Sequence, residues 1–213
     1  KVYQVNNDAI RLKNFYDSQG YIDSKIDFEI EYFEDNRVEI NFNIIEGEKY
    51  YFSSIEIKNN LPDNNIINNE LNKFLDNKKK LIDLPYNKEM LDSIEYEITD
   101  ILNMFGEDFF EIKTFQKNKD FKVDTLFEIT SVQPRYINQI NISGNTRTFD
   151  YVIRRELDVA EGDPINSTKL KKINKKLNQL TIFKSIEVNN SVNQNNTEDL
   201  NINVEETQTG SFN

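Results

Sequence analysis

Apolar and polar residues alternate in two short segments of the chain, YFSSIEI at residues 51–57 and YINQINI at residues 136–142. Alternation with a period of two is typical of strands that bury one face. A helical pattern follows each segment, at about residues 64–77 and 149–159, and in the second of these Asp150 is the predicted N-cap. The pattern therefore predicts a strand followed by a helix, repeated at an offset of 85 residues (51 to 136).

A Pro-x-Asn signature marks a second helix in each repeat. Pro85 and Asn87 correspond to Pro164 and Asn166, which lie 79 positions later (85 to 164). A proline followed by a capping residue is typical of a helix start. Two strands then close each repeat. In the first repeat we predict them at residues 109–115 and 121–132, with a turn at 117–120. In the second we predict them at residues 184–189 and 200–205, with a polar loop at 190–199.

The repeated order is β-α-α-β-β, which predicts an α+β fold. A three-stranded mixed sheet with both helices on one face is the compact way to bury the apolar stripes of such a repeat. The first 48 residues contain only the rear of this order, a helix that ends at Gly20 and a hairpin at 22–33 and 38–45. We therefore predict domains at 1–48, 49–133 and 134–207, followed by a linker at 208–213.

The turns of these repeats are marked by glycines and one asparagine. A glycine directly after a helix or strand favours a backbone conformation with positive φ, which other residues adopt at a cost. On this basis we interpret six residues as structural turn positions: Gly20, Gly47, Gly106, Gly144, Asn145 and Gly162.

Composition limits the chemistry that the chain can perform. It has no Cys and no His, which excludes disulfides, Cys- or His-based zinc sites and Ser-His or Cys-His nucleophiles, and we expect no metal and no cofactor. The net charge of −11 argues against nucleic acid as a partner, because phosphate binding requires a basic surface. Glu29 and Glu31 are paired carboxylates, which leaves a cell-wall glycan hydrolase as an alternative of a different class. Strand alternation places both on the solvent face, which favours a binding protein.

The last repeat carries the most specific motifs. Gly144-Asn145, the segment DYVIRRE at 150–156 and Glu161-Gly162 resemble the last polypeptide-transport-associated (POTRA) domain of the BamA family of outer-membrane barrel-assembly proteins. Leu12-x-x-Phe-Tyr, Gly20-Tyr21 and the segment IIEG at 44–47 are similar to a junction between two such domains. The ending TGSFN at 209–213 resembles the segment where the membrane β-barrel of that family begins.

This resemblance implies that the chain is the rear of POTRA 3, then POTRA 4 and POTRA 5, and part of a longer protein. It implies a location at the periplasmic face of the outer membrane of a Gram-negative bacterium. The implied partners are unfolded outer-membrane protein precursors, BamD-like and BamB-like lipoproteins, and the chain's own C-terminal barrel. By motif, Arg154 and Glu161 are the residues implied to dock the lipoprotein. A translocation and assembly module or a two-partner secretion pore remains an alternative within the same class.

A three-stranded sheet has edges whose free N–H and C=O groups accept a further strand. We predict that unfolded precursors add to these edges by β-augmentation. The candidate edge is the first of the two final strands in each repeat, at residues 25–32, 109–115 and 184–189. Its predicted apolar positions are Ile26, Phe28, Ile30, Phe110, Ile112, Ile186 and Val188.

Overall fold

The computed structural model describes residues 2–35, 37–62, 64–180, 182–193 and 195–207. The predicted linker at 208–213, with its TGSFN ending, lies outside these residues. No helix in the described ranges is long and apolar enough to cross a membrane.

The first part of the chain contains one helix and two strands. They are α1 (Val2–Ser18), β1 (Lys25–Tyr32) and β2 (Val38–Ile45). The two strands pair antiparallel, with Lys25 opposite Ile45 and Tyr32 opposite Val38. The hairpin prediction of 38–45 coincides with β2, whereas β1 is shorter than the predicted range of 22–33.

Two further groups of elements follow in the predicted order. The middle group is β3 (Tyr51–Asn59), α2 (Asn65–Lys78), α3 (Lys88–Met104), β4 (Phe110–Lys119) and β5 (Lys122–Ser131). The last group is β6 (Tyr136–Ser143), α4 (Asp150–Arg154), α5 (Ser167–Asn178), β7 (Phe183–Val192) and β8 (Thr197–Glu206). Each of these groups has the order β-α-α-β-β.

Each of these groups forms one three-stranded sheet, with strand orders β3-β5-β4 and β6-β8-β7. In the last sheet β8 pairs parallel with β6 and antiparallel with β7, so the sheet is mixed. The final strand of each repeat is therefore central, and the first of the two final strands is at an edge. The predicted α+β fold of three-stranded mixed sheets with helices is confirmed.

The described residues group into two compact units. One consists of the residues up to Lys58 together with Asn68–Glu95 and Thr114–Glu128. The other consists of Asn59–Ile67, Tyr96–Lys113 and the described residues from Ile129 onward. The second unit contains all of the last sheet. The hydrophobic core of the last group of elements consists of Ile137, Ile140, Ile153, Leu157, Ile165, Ile173, Leu177, Phe183, Leu200, Ile202 and Val204.

The predicted helix at 149–159 is wrong in length and in its cap. Helix α4 has only five residues, its N-cap is Phe149, and no side chain caps it. The Asp150 carboxylate instead accepts a hydrogen bond from Arg154 Nε at 2.7 Å. After Arg154 the chain tightens, with Leu157 N bonding Arg154 O, and Asp158 then has a φ of 56°, which ends helical geometry.

The predicted turns of the two closing hairpins are also displaced. Strand β4 continues to Lys119, and the turn is formed by Asp120 and Phe121, with φ values of 51° and 59°. Two consecutive residues with positive φ match the twist of the flanking strands, and this is the usual two-residue hairpin geometry. In the last hairpin Asn195 and Asn196 have φ values of 73° and 58°, so both strands extend well into the predicted loop.

Candidate protein-binding site

Arg154 and Glu161 both contact the main chain of Ile140 in β6. Arg154 Nη2 donates a hydrogen bond to Ile140 O at 2.7 Å, and Glu161 Oε1 accepts one from Ile140 N at 3.0 Å. The two side chains approach each other, with Arg154 Nη1 and Glu161 Oε1 3.6 Å apart. Both polar main-chain groups of Ile140 are therefore occupied by side chains.

The loop after Glu161 continues this cover along β6. Gly162 N donates to Ile137 O at 2.7 Å, and Ile137 N donates to Asp163 O at 2.9 Å. The preceding residue of β6, Tyr136, forms an antiparallel bridge with Pro164. Residues 161–164 and Arg154 thus bind the main chain of β6 on the side that β8 does not use. A strand edge whose N–H and C=O groups are already bonded is a poor template for another strand.

Arg154 and Glu161 are also accessible to solvent, with side chains 39% and 48% exposed. The hydrogen bond from Arg154 to Asp150 raises the pKa of the guanidinium, while partial burial lowers it. Arg155, the neighbouring arginine, is 65% exposed and bonds Glu156. The structure therefore brings Arg154 and Glu161 together as a pair with a role inside the domain and leaves Arg155 outside that pair.

Two exposed aromatic rings lie at the start of α4, close in sequence to this pair. Phe149 and Tyr151 are 71% and 63% exposed, and their rings are stacked with centroids 5.9 Å apart. Large apolar side chains that remain in water next to charged groups are typical of protein contact surfaces. No periodic pattern in the sequence marks these two residues, because α4 is too short to show a helical face.

The candidate edge residues lie on strands at the edges of their sheets. In β7, Ile186 and Val188 are half-buried and pack against the core, and the neighbouring Glu187 is exposed. In β4, Phe110 and Ile112 are buried. In β1, Ile26, Phe28 and Ile30 alternate with exposed residues. Because these apolar side chains lie on one face of each strand, an added strand would be bound by the main chain instead.

The outer edge of β7 differs from that of β6. Within the described residues, no strand pairs with β7 on the side away from β8. The start of β7 carries an irregularity in register between Phe183 and Ser185, and Lys184 pairs with Glu205 at 2.6 Å. A bulge and an edge lysine are devices that limit uncontrolled strand pairing. The described stretch of β7 after Ser185 carries neither the irregularity nor a lysine.

All five predicted turn glycines have positive φ, namely Gly20, Gly47, Gly106, Gly144 and Gly162. Gly144 has the strictest requirement, because a Cβ atom there would collide with the carbonyl oxygen of Val204. The next residue, Asn145, donates from Nδ2 to Thr148 O at 3.0 Å and so closes the turn. These two residues set the path of the chain from β6 into α4.

Glu206, at the end of β8, organises the same turn and was missed at the sequence level. Its carboxylate accepts hydrogen bonds from Thr148 N at 2.7 Å, Arg147 N at 3.1 Å and Thr146 Oγ1 at 2.8 Å. Its side chain is 7% exposed. Desolvation raises the pKa of this carboxyl, but the hydrogen bonds from Thr148, Thr146 and Arg147 outweigh it and lower the pKa to about 2. The ionised carboxylate therefore holds the loop that presents Phe149.

Carboxylates do not gather into a reactive cluster in the described part of the chain, where no group of three or more metal-ligating side chains occurs. Glu29 and Glu31, the pair considered for glycan hydrolysis, are both exposed on β1. The described residues therefore offer sheet edges and turn surfaces for contact with a partner.

The β-α-α-β-β repeat, with its mixed three-stranded sheet and central final strand, has the fold of POTRA domains. Residues 135–207 match the POTRA family model, described as Surface antigen variable number repeat. A crystal structure of Haemophilus influenzae BamA POTRA3-5 has the same fold, with a TM-score of 0.54 and 17% identity, covering 95% of this chain and 80% of that one.

The chain is BamA-like over nearly its whole length, and its residues 135–207 are a POTRA domain. It is 31% identical, over 99% of its length, to the outer membrane protein assembly factor BamA of Buchnera aphidicola subsp. Acyrthosiphon pisum. It is 25% identical, over 98% of its length, to BamA of Nitratidesulfovibrio vulgaris. The chain spans 34% and 26% of the lengths of these two curated relatives.

Proposed function

We propose that this chain is the periplasmic region of an outer-membrane protein assembly factor and that it acts as a non-enzymatic scaffold for other polypeptides. The support is the likeness to relatives named as outer membrane protein assembly factors, which extends over nearly the whole chain. The membrane β-barrel of such a factor and the outer-membrane location belong to this proposal. So does the choice of partners, which are unfolded precursors of outer-membrane proteins and accessory lipoproteins.

The unequal edges of the last sheet carry the proposal for precursor binding. Arg154, Glu161 and the loop that follows bond the main chain of β6, whereas β7 has no such cover within the described residues. An extended precursor segment would therefore add to β7. Main-chain pairing reads no particular side chain, which suits a receptor that accepts many different barrel strands.

A fluorescently labelled peptide derived from a barrel strand tests this mode of binding. The unmodified peptide should bind the chain, and the same peptide N-methylated at alternate residues on one edge should lose binding, because it has lost the N–H donors of that edge. A peptide methylated on the other edge is the matched control. Equal affinity for all three peptides in an anisotropy titration would exclude β-augmentation.

We further propose that a BamD-like lipoprotein docks on the surface around Arg154 and Glu161, with Phe149 and Tyr151 as its apolar anchors. A BamB-like lipoprotein is the second candidate partner, at a sheet edge. The pair is half-exposed, so a partner can reach its solvent-facing side, while its other side holds Ile140. Aromatic side chains at the centre of an interface commonly carry much of its binding energy.

The lipoprotein contact is tested by calorimetry with the cognate lipoprotein and two variants of Glu161. Glu161→Lys should weaken binding of the lipoprotein. Glu161→Gln removes the charge but keeps the shape and an amide oxygen that accepts from Ile140 N, so any loss of affinity in this variant measures the contribution of the charge. Tyr151→Ala should also weaken binding without touching Ile140. Unchanged affinity in all three variants would remove this surface from the interface.

A further inference from the structure

Asn87 and Asn166 occupy the same place in two repeats, as the last residue of each Pro-x-Asn signature. Asn87 Oδ1 accepts hydrogen bonds from Glu89 N at 2.9 Å and Met90 N at 3.3 Å, at the start of α3. Asn166 Oδ1 accepts one from Lys169 N at 2.9 Å, at the start of α5. This half of each side chain caps its own helix, as a Ser, Thr or Asp would.

The other half of each side chain bonds the preceding repeat. Asn87 Nδ2 donates to Ser18 O, at the end of α1, at 3.4 Å. Asn166 Nδ2 donates to Asp108 O, shortly after α3, at 3.2 Å. Because a backbone N–H must face the oxygen of the amide, the cap fixes the orientation of the side chain and aims Nδ2 at the neighbouring carbonyl. Both members of each pair belong to the same compact unit.

We infer that Asn87 and Asn166 are positioning residues that hold each repeat in a set orientation against the repeat before it. A capping Asp has no hydrogen-bond donor, so the requirement for both a cap and a cross-repeat bond selects an amide. The same arrangement occurs twice, at two junctions of different local sequence, which makes a chance contact a poor explanation.

At the second junction, charged side chains of α5 support the amide bond. They are spaced three residues apart, which places them on one face of the helix. Their partners all lie on or just after α3, and the contacts are Lys169 Nζ to Asp108 Oδ1 at 3.2 Å, Lys172 Nζ to Asp100 Oδ1 at 3.5 Å, and Lys175 Nζ over the Tyr96 ring at 5.6 Å. Three lysines of α5 therefore contact the preceding repeat.

Main-chain contacts support the first junction and ring contacts support both. Tyr50 N donates to Gly20 O at 2.8 Å, and Lys49 Nζ lies 5.3 Å from the centre of the Tyr21 ring. At the second junction the rings of Phe109 and Tyr136 meet edge to face, with centroids 5.4 Å apart. Hydrogen bonds are directional whereas ring contacts tolerate sliding, so the amide bonds, joined at the first junction by the Tyr50–Gly20 bond, are the contacts that select one orientation.

Asn166→Asp tests the inference, because Asp keeps the capping oxygen and the size of the side chain but loses the Nδ2 donor and gains a negative charge. The control variant below gains the same charge. The chain has no Cys, so cysteines introduced in place of Lys113 and Val192 would carry spin labels without competing thiols. Both positions are exposed and lie on β4 and β7. We expect the distance distribution between the labels to broaden and its mean to shift in Asn166→Asp relative to the parent protein.

Asn64→Asp is the matched control. Asn64 Oδ1 accepts from Ile66 N at 3.1 Å and Ile67 N at 3.4 Å, so it caps α2, the first helix of the middle repeat, and is not part of a Pro-x-Asn signature. This variant should leave the distribution unchanged. A distribution in Asn166→Asp equal to that of the parent, or equal broadening in Asn64→Asp, would overturn the inference.

Asn87→Asp provides an independent test at the first junction, with labels in place of Tyr32 and Phe121, both exposed. It should broaden its own distribution and leave the Lys113–Val192 distribution unchanged. A thermal melt of each variant shows that it is folded before the distances are compared. If one variant does not fold, the other still decides the question.

Discussion

Arg154 and Glu161 bond the two polar main-chain groups of one residue, Ile140, while their own side chains approach to 3.6 Å. The pair therefore occupies the positions that a neighbouring strand would otherwise take. Together with the loop that follows, it covers the outer edge of β6 from Tyr136 to Ile140, whereas within the described residues no strand pairs with the outer edge of β7. Arg154 and Glu161, whose motif resembles a lipoprotein-docking site, therefore also bond the main chain of the sheet.

Replacing Glu161 should lower the free energy of unfolding of the domain by a measurable amount. Glu161→Ala leaves the Ile140 N–H without its acceptor, and we expect it to lower the free energy of unfolding by about 1 kcal/mol, since the side chain is half-exposed. Glu161→Gln retains an acceptor and should cost less. Urea denaturation of the two variants, together with the exchange rate of the Ile140 amide, checks this. Identical stability of the two variants would show that the hydrogen bond to Ile140 contributes nothing.

Removing Arg154 should open the covered edge. Arg154→Ala frees Ile140 O and loosens Glu161, so β6 becomes available for strand pairing and we expect concentration-dependent self-association. Arg155→Ala is the control, because Arg155 bonds Glu156 and lies outside the pair. Sedimentation velocity over a range of concentrations compares the two. Self-association of both variants, or of neither, would contradict the proposed cover.

The pKa of Glu206 predicts how the last domain responds to acid. Hydrogen bonds from Thr148, Thr146 and Arg147 overcome desolvation and lower this pKa from 4.5 to about 2, so folding favours the ionised form. The stabilisation is complete above pH 4.5 and is lost as the pH falls towards 2. The difference in unfolding free energy between the parent and Glu206→Gln should therefore shrink over this range. A difference that is independent of pH would show that the carboxylate is not the stabilising form.

Gly144 and Gly162, which have similar φ values of 84° and 94°, should differ in their tolerance of alanine. At Gly144 an added Cβ meets the Val204 carbonyl oxygen, whereas at Gly162 there is nothing within 4 Å. We expect Gly162→Ala to cost about 1–2 kcal/mol from the positive φ alone. Gly144→Ala should cost about 3 kcal/mol or more, because overpacking adds to that strain. Equal melting temperatures of the two variants would refute the close approach at Gly144.

Local patterns of the sequence predict the elements of each repeat and their order. Alternation locates β3 and β6, the Pro-x-Asn signature locates α3 and α5, and the range predicted for β2 coincides with the observed strand. Each of these signals depends on residues close together in the chain. The end of α4 does not follow from such a signal, because the positive φ of Asp158 ends a helix that the apolar spacing alone would extend.

The contacts that define the site depend on residues far apart in the chain. Glu206 bonds Thr148 across 58 positions, and no periodic pattern reports such a pairing. Arg154 and Glu161 are found by their motif, but their bonds to Ile140 arise only when the loop folds back on β6. The second role of Asn166 is hidden in the same way, since its cap is local and its bond to Asp108 is not.

Residue-resolved amide hydrogen exchange of the chain, with and without a bound barrel-strand peptide, shows which edge of the last sheet receives the strand. We expect new protection in β7 after Ser185 and unchanged exchange in β6 around Ile140, because that edge is already bonded. Protection that appears in β6, or only in the loops, would contradict the claim that β7 is the receptor edge of the last sheet.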